Sequence, residues 1–444
     1  DRITIKAIPY TAYTGGVVNS GTLFIENSVI TGGETSGIMN SGILTVSKTT
    51  ITKHTDGGLK NFEGGKAIVI NSTISANSAN QAGGISSSIN STLEIYNSTI
   101  ADNTATDWGG GGIEGFGGVT IANSIIAGNH SPEPGPYAPA YSPDCRGRFT
   151  SLGYNIVGNM GVDGTGKSPS CAATFVESDQ WGSYTNPISI DNILLPLTDA
   201  GNGMLMHPLT HSSIALNTGS PLSVGSSDPS ACPNTDQRGV TRPQGIRCDI
   251  GAYEAEYGSF SDVLKIHWAW KYIEAIYSAG ITGGCSTNPL MYCPGASVTR
   301  AQMAVFLGRG IHGSSFTPLG PTGTVFLDIP TNHWAAAWIE QFASDGITGG
   351  CGNGNFCPDY PVTRDQMAIF LLRAEHGKDY IPPAATGTLF GDVPDTFWAA
   401  AWIEQLAAEG ITGGCGGGNY CPGTPVTRDQ MAVFLQRTFS LPLP

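Results

Sequence analysis

A short repeat in the first third of the chain limits most strongly what this sequence can fold into. Asparagines recur there every 21 and then every 26 residues, at Asn19, Asn40 and Asn61 and at Asn71, Asn97 and Asn123. Apolar and polar residues alternate between them, as in half-buried strands, and Gly-Gly and Asn-Ser pairs supply turns. A unit this short cannot bury its own apolar face and has to stack on its neighbours. The repeat therefore predicts a parallel solenoid with about three strands per turn.

The repeated NSTI-type strands resemble those of right-handed parallel β-helix proteins, in which Asn or Ser ladders line the coils. The resemblance covers residues 1 to about 160. Residues 232–254 (CPNTDQRGVTRPQGIRCDIGAYE) are similar to the ending of many secreted bacterial β-helix proteins. A solenoid needs an atypical closing segment, so we expect this stretch to cover the last coil, with the less regular residues 131–231 laid over the final coils. We place the whole β-helix domain at residues 1–257.

A second repeat begins after Gly258, where the composition changes to helix-forming residues. Each of its three copies opens with FSDV, FLDI or FGDV and continues through a Trp and an amphipathic stretch such as WAAAWIEQFASDGITGG. A Cys-bounded loop and the motif V-T-R-x-Q-M-A follow. The arginines of this motif, Arg300, Arg364 and Arg428, are 64 residues apart.

These copies resemble S-layer homology domains, the modules that hold surface proteins on prokaryotic cell walls. We place them at residues 258–313, 324–377 and 388–441. Gln stands where the family motif has Glu, and a Cys-closed loop replaces the family's Asp-Gly loop. The resemblance implies an all-β solenoid followed by mainly α-helical domains. It also implies an extracellular structural protein of a surface layer or filament, which binds itself and an acidic, often pyruvylated, cell-wall glycan.

The Thr-Arg-x-Gln motif has two interpretations. Thr299, Thr363 and Thr427 each precede a Gln by three residues, which is the pattern of a helix capping box. The Arg opposes the helix dipole unless an anion docks on its guanidinium and the free backbone N–H groups. The resemblance makes that anion a glycan, and the alternative is an ion pair with the Asp of the F-x-D motif. The candidate glycan-binding residues are Arg300, Arg364, Arg428, Asp262, Asp328, Asp392, Gly283, Gly349 and Gly413.

Three tryptophans, Trp268, Trp334 and Trp398, follow the F-x-D motifs. They have the right chemistry to stack on sugar rings, but a helix-borne Trp is more often an anchor in the core. We expect these three side chains to be buried.

The ten cysteines predict disulfides rather than a metal site. Their even number in a Gly-, Asn- and Ser-rich acidic chain is typical of an oxidising compartment. Zinc is the alternative, but the spacings C-x7-C, C-x5-C and C-x5-C are not those of common zinc sites. The expected pairs are Cys285–Cys293, Cys351–Cys357, Cys415–Cys421, Cys232–Cys248 and, by elimination, Cys145–Cys171.

Charge and composition argue against several other functions. The net charge is −14 and there is no basic run, so nucleic-acid binding is disfavoured. No apolar stretch approaches the length of a membrane span. In the solenoid no carboxylate pair recurs one coil later, and His54 and His130 stand alone in turns where we expect them to be solvated. We therefore expect no catalytic residue, no cofactor and no metal, with a wall-anchored polysaccharide lyase or hydrolase and an adhesin as alternatives.

The start of the chain predicts self-assembly. Residues 2–8 are strand-like, and no segment ahead of them covers the first coil. An uncapped solenoid presents unpaired backbone groups and apolar side chains to another chain. Contact between unlike ends propagates into a fibre or lattice unless a ring closes. We therefore expect homo-oligomers in which a neighbouring subunit covers the first coil.

Overall fold

The computed structural model describes residues 4–6, 16–107, 109–132, 140–141, 143–163, 171–200 and 203–444. The chain divides into two compact units, Asp1–Glu256 and Tyr257–Pro444. Of the predicted first coil, only residues 4–6 among positions 1–15 lie within the described part.

The first unit is a stack of short parallel strands, three to a turn over most of its length. Its regular coils contain β1 (Thr4–Lys6), β2 (Val17–Asn19), β3 (Thr22–Glu26), β4 (Val29–Gly33), β5 (Ile38–Asn40), β6 (Ile43–Ser47), β7 (Thr50–His54), β8 (Leu59–Asn61), β9 (Lys66–Ile70), β10 (Thr73–Ser75), β11 (Ser78–Ala79), β12 (Ile85–Ser87), β13 (Thr92–Tyr96), β14 (Thr99–Ala101), β15 (Thr104–Ala105), β16 (Ile113–Ala122) and β17 (Ile125–Ala127). The later strands are β18 (Ala140–Tyr141), β19 (Cys145–Ser151), β20 (Ile156–Val157), β21 (Val162–Asp163), β22 (Cys171–Thr174), β23 (Gln180–Trp181), β24 (Thr198–Asp199) and β25 (Leu205–Met206). A 3₁₀ helix spans Ile190–Asn192.

The pairing order confirms the predicted parallel solenoid. One sheet has the strand order β1-β4-β7-β10-β14-β17-β20-β23. Another has the order β2-β5-β8-β12-β16-β13-β9-β6-β3, because the long strand β16 pairs with strands of two neighbouring stacks. The register places like residues in line, and one interior column contains Ile30, Ile51, Ile74, Ile100 and Ile126. These side chains have no accessible surface, so each coil supplies its neighbours with the apolar contacts that it lacks alone.

Polar ladders hold the coils in register at their corners. The amides of Asn19, Asn40 and Asn61 form one ladder, with N···O distances of 2.7 and 2.8 Å. A second ladder joins Asn77, Asn103 and Asn129, at 2.9 Å for each step. At a third corner one residue per coil donates its backbone N–H to the side-chain oxygen of the equivalent residue in the next coil. The residues of this series are Ser28, Thr49, Ser72, Ser98, Ser124 and Asn155. The buried polar groups of these three ladders are thus satisfied coil by coil.

The asparagine ladder ends on the buried carboxyl group of Asp144. Oδ1 of Asp144 accepts the backbone N–H and the side-chain amide of Asn129, both at 2.9 Å. Its Oδ2 accepts the backbone N–H of Asn159 at 2.6 Å. His54 is also buried, so the expectation that it is solvated is wrong: it is only 1 % exposed, and its Nδ1 lies 3.2 Å from the carbonyl oxygen of Thr35.

Residues 204–255, here called the strap, lie along the side of the solenoid, whereas we expected residues 232–254 to cover its last coil. The Gln237 amide bonds the hydroxyls of Thr50 and Thr73 in adjacent coils, at 2.8 and 2.7 Å. Two coils further on, the Asn123 side chain accepts the backbone N–H of Ser220, and its carbonyl accepts that of Gly251. The reason is that Thr and Asn side chains on this outer face offer polar partners on every coil, which the strap's backbone and Gln237 use.

The second unit contains two helices per copy of the repeat. They are α1 (Trp270–Ser278), α2 (Arg300–His312), α3 (Ala336–Ser344), α4 (Arg364–His376), α5 (Ala400–Ala408) and α6 (Arg428–Thr438). The loop of the first copy also forms a hairpin of β26 (Ser286–Thr287) and β27 (Leu290–Met291). One apolar core runs through all three copies.

The three copies close into a ring. The backbone N–H of Val298 donates to the carbonyl of Val426, that of Val426 to Val362, and that of Val362 to Val298, each at 2.9 Å. All three valines are fully buried. Each copy therefore contacts both others, and the sites described below form between copies.

Candidate functional site

Each copy has a loop fixed by a disulfide and by the Asp of its F-x-D motif. The Asp328 carboxylate accepts the backbone N–H groups of Phe356 and Cys357, both at 2.7 Å. Asp262 and Asp392 hold their own loops in the same way. These aspartates are thus loop anchors, and their oxygens are engaged with backbone donors.

The motif arginine of each copy reaches the anchored loop of the next copy. Arg300 Nε donates to the carbonyl of Phe356, and Arg364 Nε donates to that of Tyr420. Arg428 Nε completes the ring by donating to Tyr292. Each of these distances is 2.7 Å. Every guanidinium also lies over the ring of that same aromatic residue, at 4.7–4.9 Å from the centroid.

The alternative role for each motif arginine, an ion pair with the F-x-D aspartate, is replaced in the structure by an indirect link. Among the described residues of this unit, no ion pair joins a motif arginine to an F-x-D aspartate within 4.0 Å. The two side chains instead bind opposite ends of one peptide segment: at Phe356, the N–H faces Asp328 and the carbonyl faces Arg300. The positive charge of each motif arginine is therefore not neutralised by direct contact with an F-x-D carboxylate.

The helix N-termini differ from the expectation in two respects. The full capping box forms at Thr299 and Gln302 only, because Asp365 and Asp429 in the other copies accept the hydroxyls of Thr363 and Thr427. The N–H groups that were expected to receive an anion are also occupied. In α2, for example, the N–H of Arg300 and that of Ala301 donate to carbonyls of the second copy's loop at 2.9 Å. Any anion at this site has to bind the side chain.

One nitrogen of each guanidinium has no partner. Nη2 of Arg300, Arg364 and Arg428 is buried and makes no hydrogen bond. Burial lowers the pKa of all three guanidinium groups, but an arginine starts so high that it remains a cation. A buried donor without an acceptor costs about 1–3 kcal/mol, so an acceptor oxygen that reached one of these nitrogens would be stabilising.

Two of the arginines line equivalent grooves between copies. The groove at Arg364 has a volume of about 410 Å³, and that at Arg300 about 340 Å³. Both are of a size that takes small ligands. Gly413 and Gly349 form part of the respective walls, and a Cβ at either position would meet no atom within 4 Å. Gly283, the equivalent glycine of the first copy, has the same open surroundings.

The three tryptophans are exposed, so the expectation that they anchor the core is wrong. Trp268, Trp334 and Trp398 are 59 %, 63 % and 61 % exposed. The residue after each, Ala269, Ala335 or Ala399, takes the buried position instead. Trp268 lines the groove at Arg364, and Trp398 lines the groove at Arg300. The sequence pattern could not place them, because each groove takes its tryptophan from a different copy than its arginine.

All ten cysteines are paired in the structure, as disulfides between the residues expected from the sequence. The pairs are Cys145–Cys171, Cys232–Cys248, Cys285–Cys293, Cys351–Cys357 and Cys415–Cys421. In the second unit each disulfide closes a loop whose backbone carbonyl accepts the hydrogen bond from a motif arginine. It therefore fixes one wall of the site.

Family models match both units. Residues 9–149 match a right-handed β-helix region, and residues 259–304, 325–368 and 389–432 match the S-layer homology domain. Among the described residues, no helix is long and apolar enough to span a membrane.

Several curated proteins are similar over part of the chain. It is 36 % identical over 115 residues to an endoglucanase of Bacillus sp. strain KSM-635 and 26 % identical over 156 residues to a cellulosome-anchoring protein of Acetivibrio thermocellus. It is 28 % identical over 180 residues to S-layer protein EA1 of Bacillus anthracis. The alignments cover 26 %, 33 % and 40 % of this chain but only 11 %, 33 % and 20 % of those relatives. The chain thus combines a right-handed parallel β-helix with three S-layer homology domains.

Proposed function

We propose that this is an extracellular structural protein of a prokaryotic surface layer or filament, held on an acidic cell-wall glycan by its S-layer homology domains. The observation that carries the proposal is that each motif arginine has a buried Nη2 without a partner and that, in two of the copies, this arginine lines a groove between domains. A carboxylate on the glycan would supply the missing acceptor and the opposite charge. Relatives named as S-layer and cellulosome-anchoring proteins support the same location.

The tryptophans support a sugar as the ligand. A sugar presents apolar C–H faces as well as hydroxyls, and an exposed indole offers a flat surface for such a face. Trp398 and Arg300 line the same groove, so one ligand can contact both. The buried amide oxygen of Gln430, in the groove with Arg364 and Trp268, has no partner and can accept a hydroxyl.

The test is co-sedimentation of the full chain with purified cell-wall sacculi, before and after the acidic glycan is chemically removed. We expect Trp268→Ala combined with Trp398→Ala to reduce the bound fraction strongly while the melting temperature stays within 1–2 °C, since surface changes have small effects on stability (about 0.5 kcal/mol). Trp181→Ala, which changes a half-exposed tryptophan in the first unit, is the matched control.

Substitution of the arginines tests whether the guanidinium groups themselves bind the glycan. Because Arg300 Nε supports the next copy's loop, Arg300→Ala removes structure as well as charge, and a changed melt would not reject the proposal. Arg300→Lys together with Arg364→Lys keeps the positive charge but loses the planar guanidinium, whose paired N–H groups match a carboxylate. Unchanged binding in the tryptophan variant, or equal binding to sacculi without the glycan, would reject glycan recognition by these grooves.

Self-assembly is the second part of the proposal. The relatives named as S-layer proteins support it, and each end of a parallel solenoid is a different surface that can pair with another copy. Electron microscopy of the purified chain should show fibres or sheets. A monomer at high concentration in analytical ultracentrifugation would contradict this part.

A catalytic role in polysaccharide cleavage is the alternative, and the described part of the solenoid gives it little support. Ser75 Oγ and Asp102 both approach Nε2 of His207, at 2.8 and 3.8 Å. This is not a nucleophile–base–acid relay, since the acid faces the wrong nitrogen and Ser75 has no accessible surface. Release of reducing or unsaturated sugar ends from acidic polysaccharides would establish the alternative.

A further inference from the structure

Two helix C-termini and three potential metal ligands meet at the contact between the second and third S-layer homology domains. Glu375 and His376 are the last residues of α4, and Glu409 follows the last residue of α5. Their ligand atoms all lie within 4.8 Å of one another. The C-terminal ends of both helices carry partial negative charge, which adds to the two carboxylates and favours a cation.

The local contacts leave one carboxylate oxygen without a donor. Oε1 of Glu409 lies 2.9 Å from Nε2 of His376 and accepts the side-chain amide of Gln405 at 2.6 Å. Its Oε2 is buried and makes no hydrogen bond. Two carboxyl groups this close, one of which has an oxygen that receives no donor, are unfavourable together unless a cation or a proton lies between them.

We propose that Glu375, His376 and Glu409 bind one divalent first-row metal ion, of which Zn²⁺ is the representative, and that this ion joins the second domain to the third. One imidazole nitrogen and two carboxylates form a donor set suited to zinc or cobalt, whereas calcium prefers oxygen donors only. Gln405 would hold Glu409 from outside the coordination sphere, and Tyr380 holds the imidazole by stacking at 4.3 Å between ring centroids. The proposal departs from our expectation of no metal and does not rest on glycan binding.

The first and second domains provide a natural control. At the equivalent contact, Nε2 of His312 lies 2.9 Å from a carboxylate oxygen of Asp345, as in the candidate site. Ile311 stands there in place of Glu375. That contact has two potential ligands instead of three, so it should not retain the ion.

The experiment measures zinc retained by the full chain. The protein is stripped with a chelator, given Zn²⁺, desalted and assayed for metal, and Co²⁺ is used in parallel for its visible spectrum. We expect the wild type to retain one equivalent more than Glu375→Gln or Glu409→Gln, and Asp345→Asn to match the wild type. Ile311→Glu should add a second equivalent, and Zn²⁺ should raise the melting temperature of the second unit.

Two results would overturn the proposal. Equal zinc in the wild type and in Glu375→Gln would mean that the three side chains do not form a site. A melting temperature raised by Glu375→Gln in metal-free buffer, with no effect of zinc on the wild type, would mean that a shared proton links the carboxylates instead.

Discussion

At the residue scale, two adjacent glycines on the wall of each groove have opposite surroundings. A Cβ at Gly349 would meet nothing within 4 Å, and so would one at Gly413. Gly350 has φ +89°, and a Cβ there would lie 2.3 Å from the carbonyl oxygen of Asn355. The first glycine of each pair leaves space for a ligand, whereas the second is required by the backbone.

We therefore predict that Gly349→Leu combined with Gly413→Leu abolishes glycan binding in the sedimentation assay but changes the free energy of unfolding by less than about 1 kcal/mol. Gly350→Ala should instead cost about 1–3 kcal/mol, because it forces a side chain into the left-handed region and against a carbonyl. Chemical denaturation of each variant checks this. Normal binding by the leucine variant would mean that the glycan lies elsewhere.

The carboxyl group of Asp144 makes the stability of the first unit depend on pH. Burial raises its pKa from 3.8 to about 7, against the opposing effect of the N–H groups of Asn129 and Asn159. Between about pH 4 and pH 7 the unfolded chain has lost this proton while the folded chain keeps it. The free energy of unfolding should therefore fall as the pH rises through this range, by at most about 4 kcal/mol from this group.

Urea unfolding of the wild type and of Asp144→Asn at pH 4.5 and pH 7.5 tests that prediction. The amide keeps the Oδ1 acceptor but loses the bond from the Asn159 N–H, so we expect lower stability at pH 4.5 and a smaller loss between the two pH values. Parallel pH profiles for the two proteins would show that Asp144 is already ionised at the lower pH.

At the scale of elements, the strap is held together by a buried ionic group. Arg242 donates to the carbonyls of Asp249 and Gly251, both at 2.7 Å, and pairs with Glu254 at 3.2 Å. Glu254 in turn accepts the backbone N–H groups of Gln244 and Asp249. This network fixes the shape of a segment that has little regular secondary structure.

Arg242→Met should lower the free energy of unfolding of the first unit by about 3–5 kcal/mol, because it leaves the Glu254 carboxylate buried without its counter-charge. Arg148→Met, at an exposed position of β19, is the control and should have little effect. Limited proteolysis would show whether the strap is then cut first. Equal stability of the two variants would contradict the assigned role.

Elements built by the repeats could be predicted from the sequence, and elements built by single long-range contacts could not. Asn40 and Asn61 recur at one spacing, so their stacking follows from the period itself. The bond from Gln237 to Thr50 joins residues 187 positions apart, and no periodicity marks it. The direction in which Arg428 points is similarly hidden, because a tandem repeat does not reveal that its last copy returns to its first.

At the scale of the whole molecule, the ring of three copies predicts shared stability. Ile339 is fully buried in the second copy, and Ile339→Ala should cost about 2–5 kcal/mol. Because one core runs through all copies, the loss should spread beyond the second copy. Hydrogen–deuterium exchange should therefore quicken in α1, α2, α5 and α6 as well as in α3 and α4, and remain unchanged in the β-helix.

Leu327→Ala is the control for that experiment, since this side chain is 84 % exposed in the same copy. Faster exchange confined to α3 and α4 would show that the copies unfold separately in spite of the Val298, Val362 and Val426 bonds.

The fixed length of the strap also limits how many coils the first unit can contain between the positions that the strap bonds. Solenoids commonly gain or lose whole coils, since each is an interchangeable layer about 4.8 Å thick. Here one segment of fixed length bonds Thr50, Thr73, Asn97 and Asn123 on four successive coils. A coil duplicated between Thr50 and Asn123 would move every later bonding position out of step with its partner. Growth by duplication is therefore confined to the coils outside that interval, unless the strap lengthens by a matching amount.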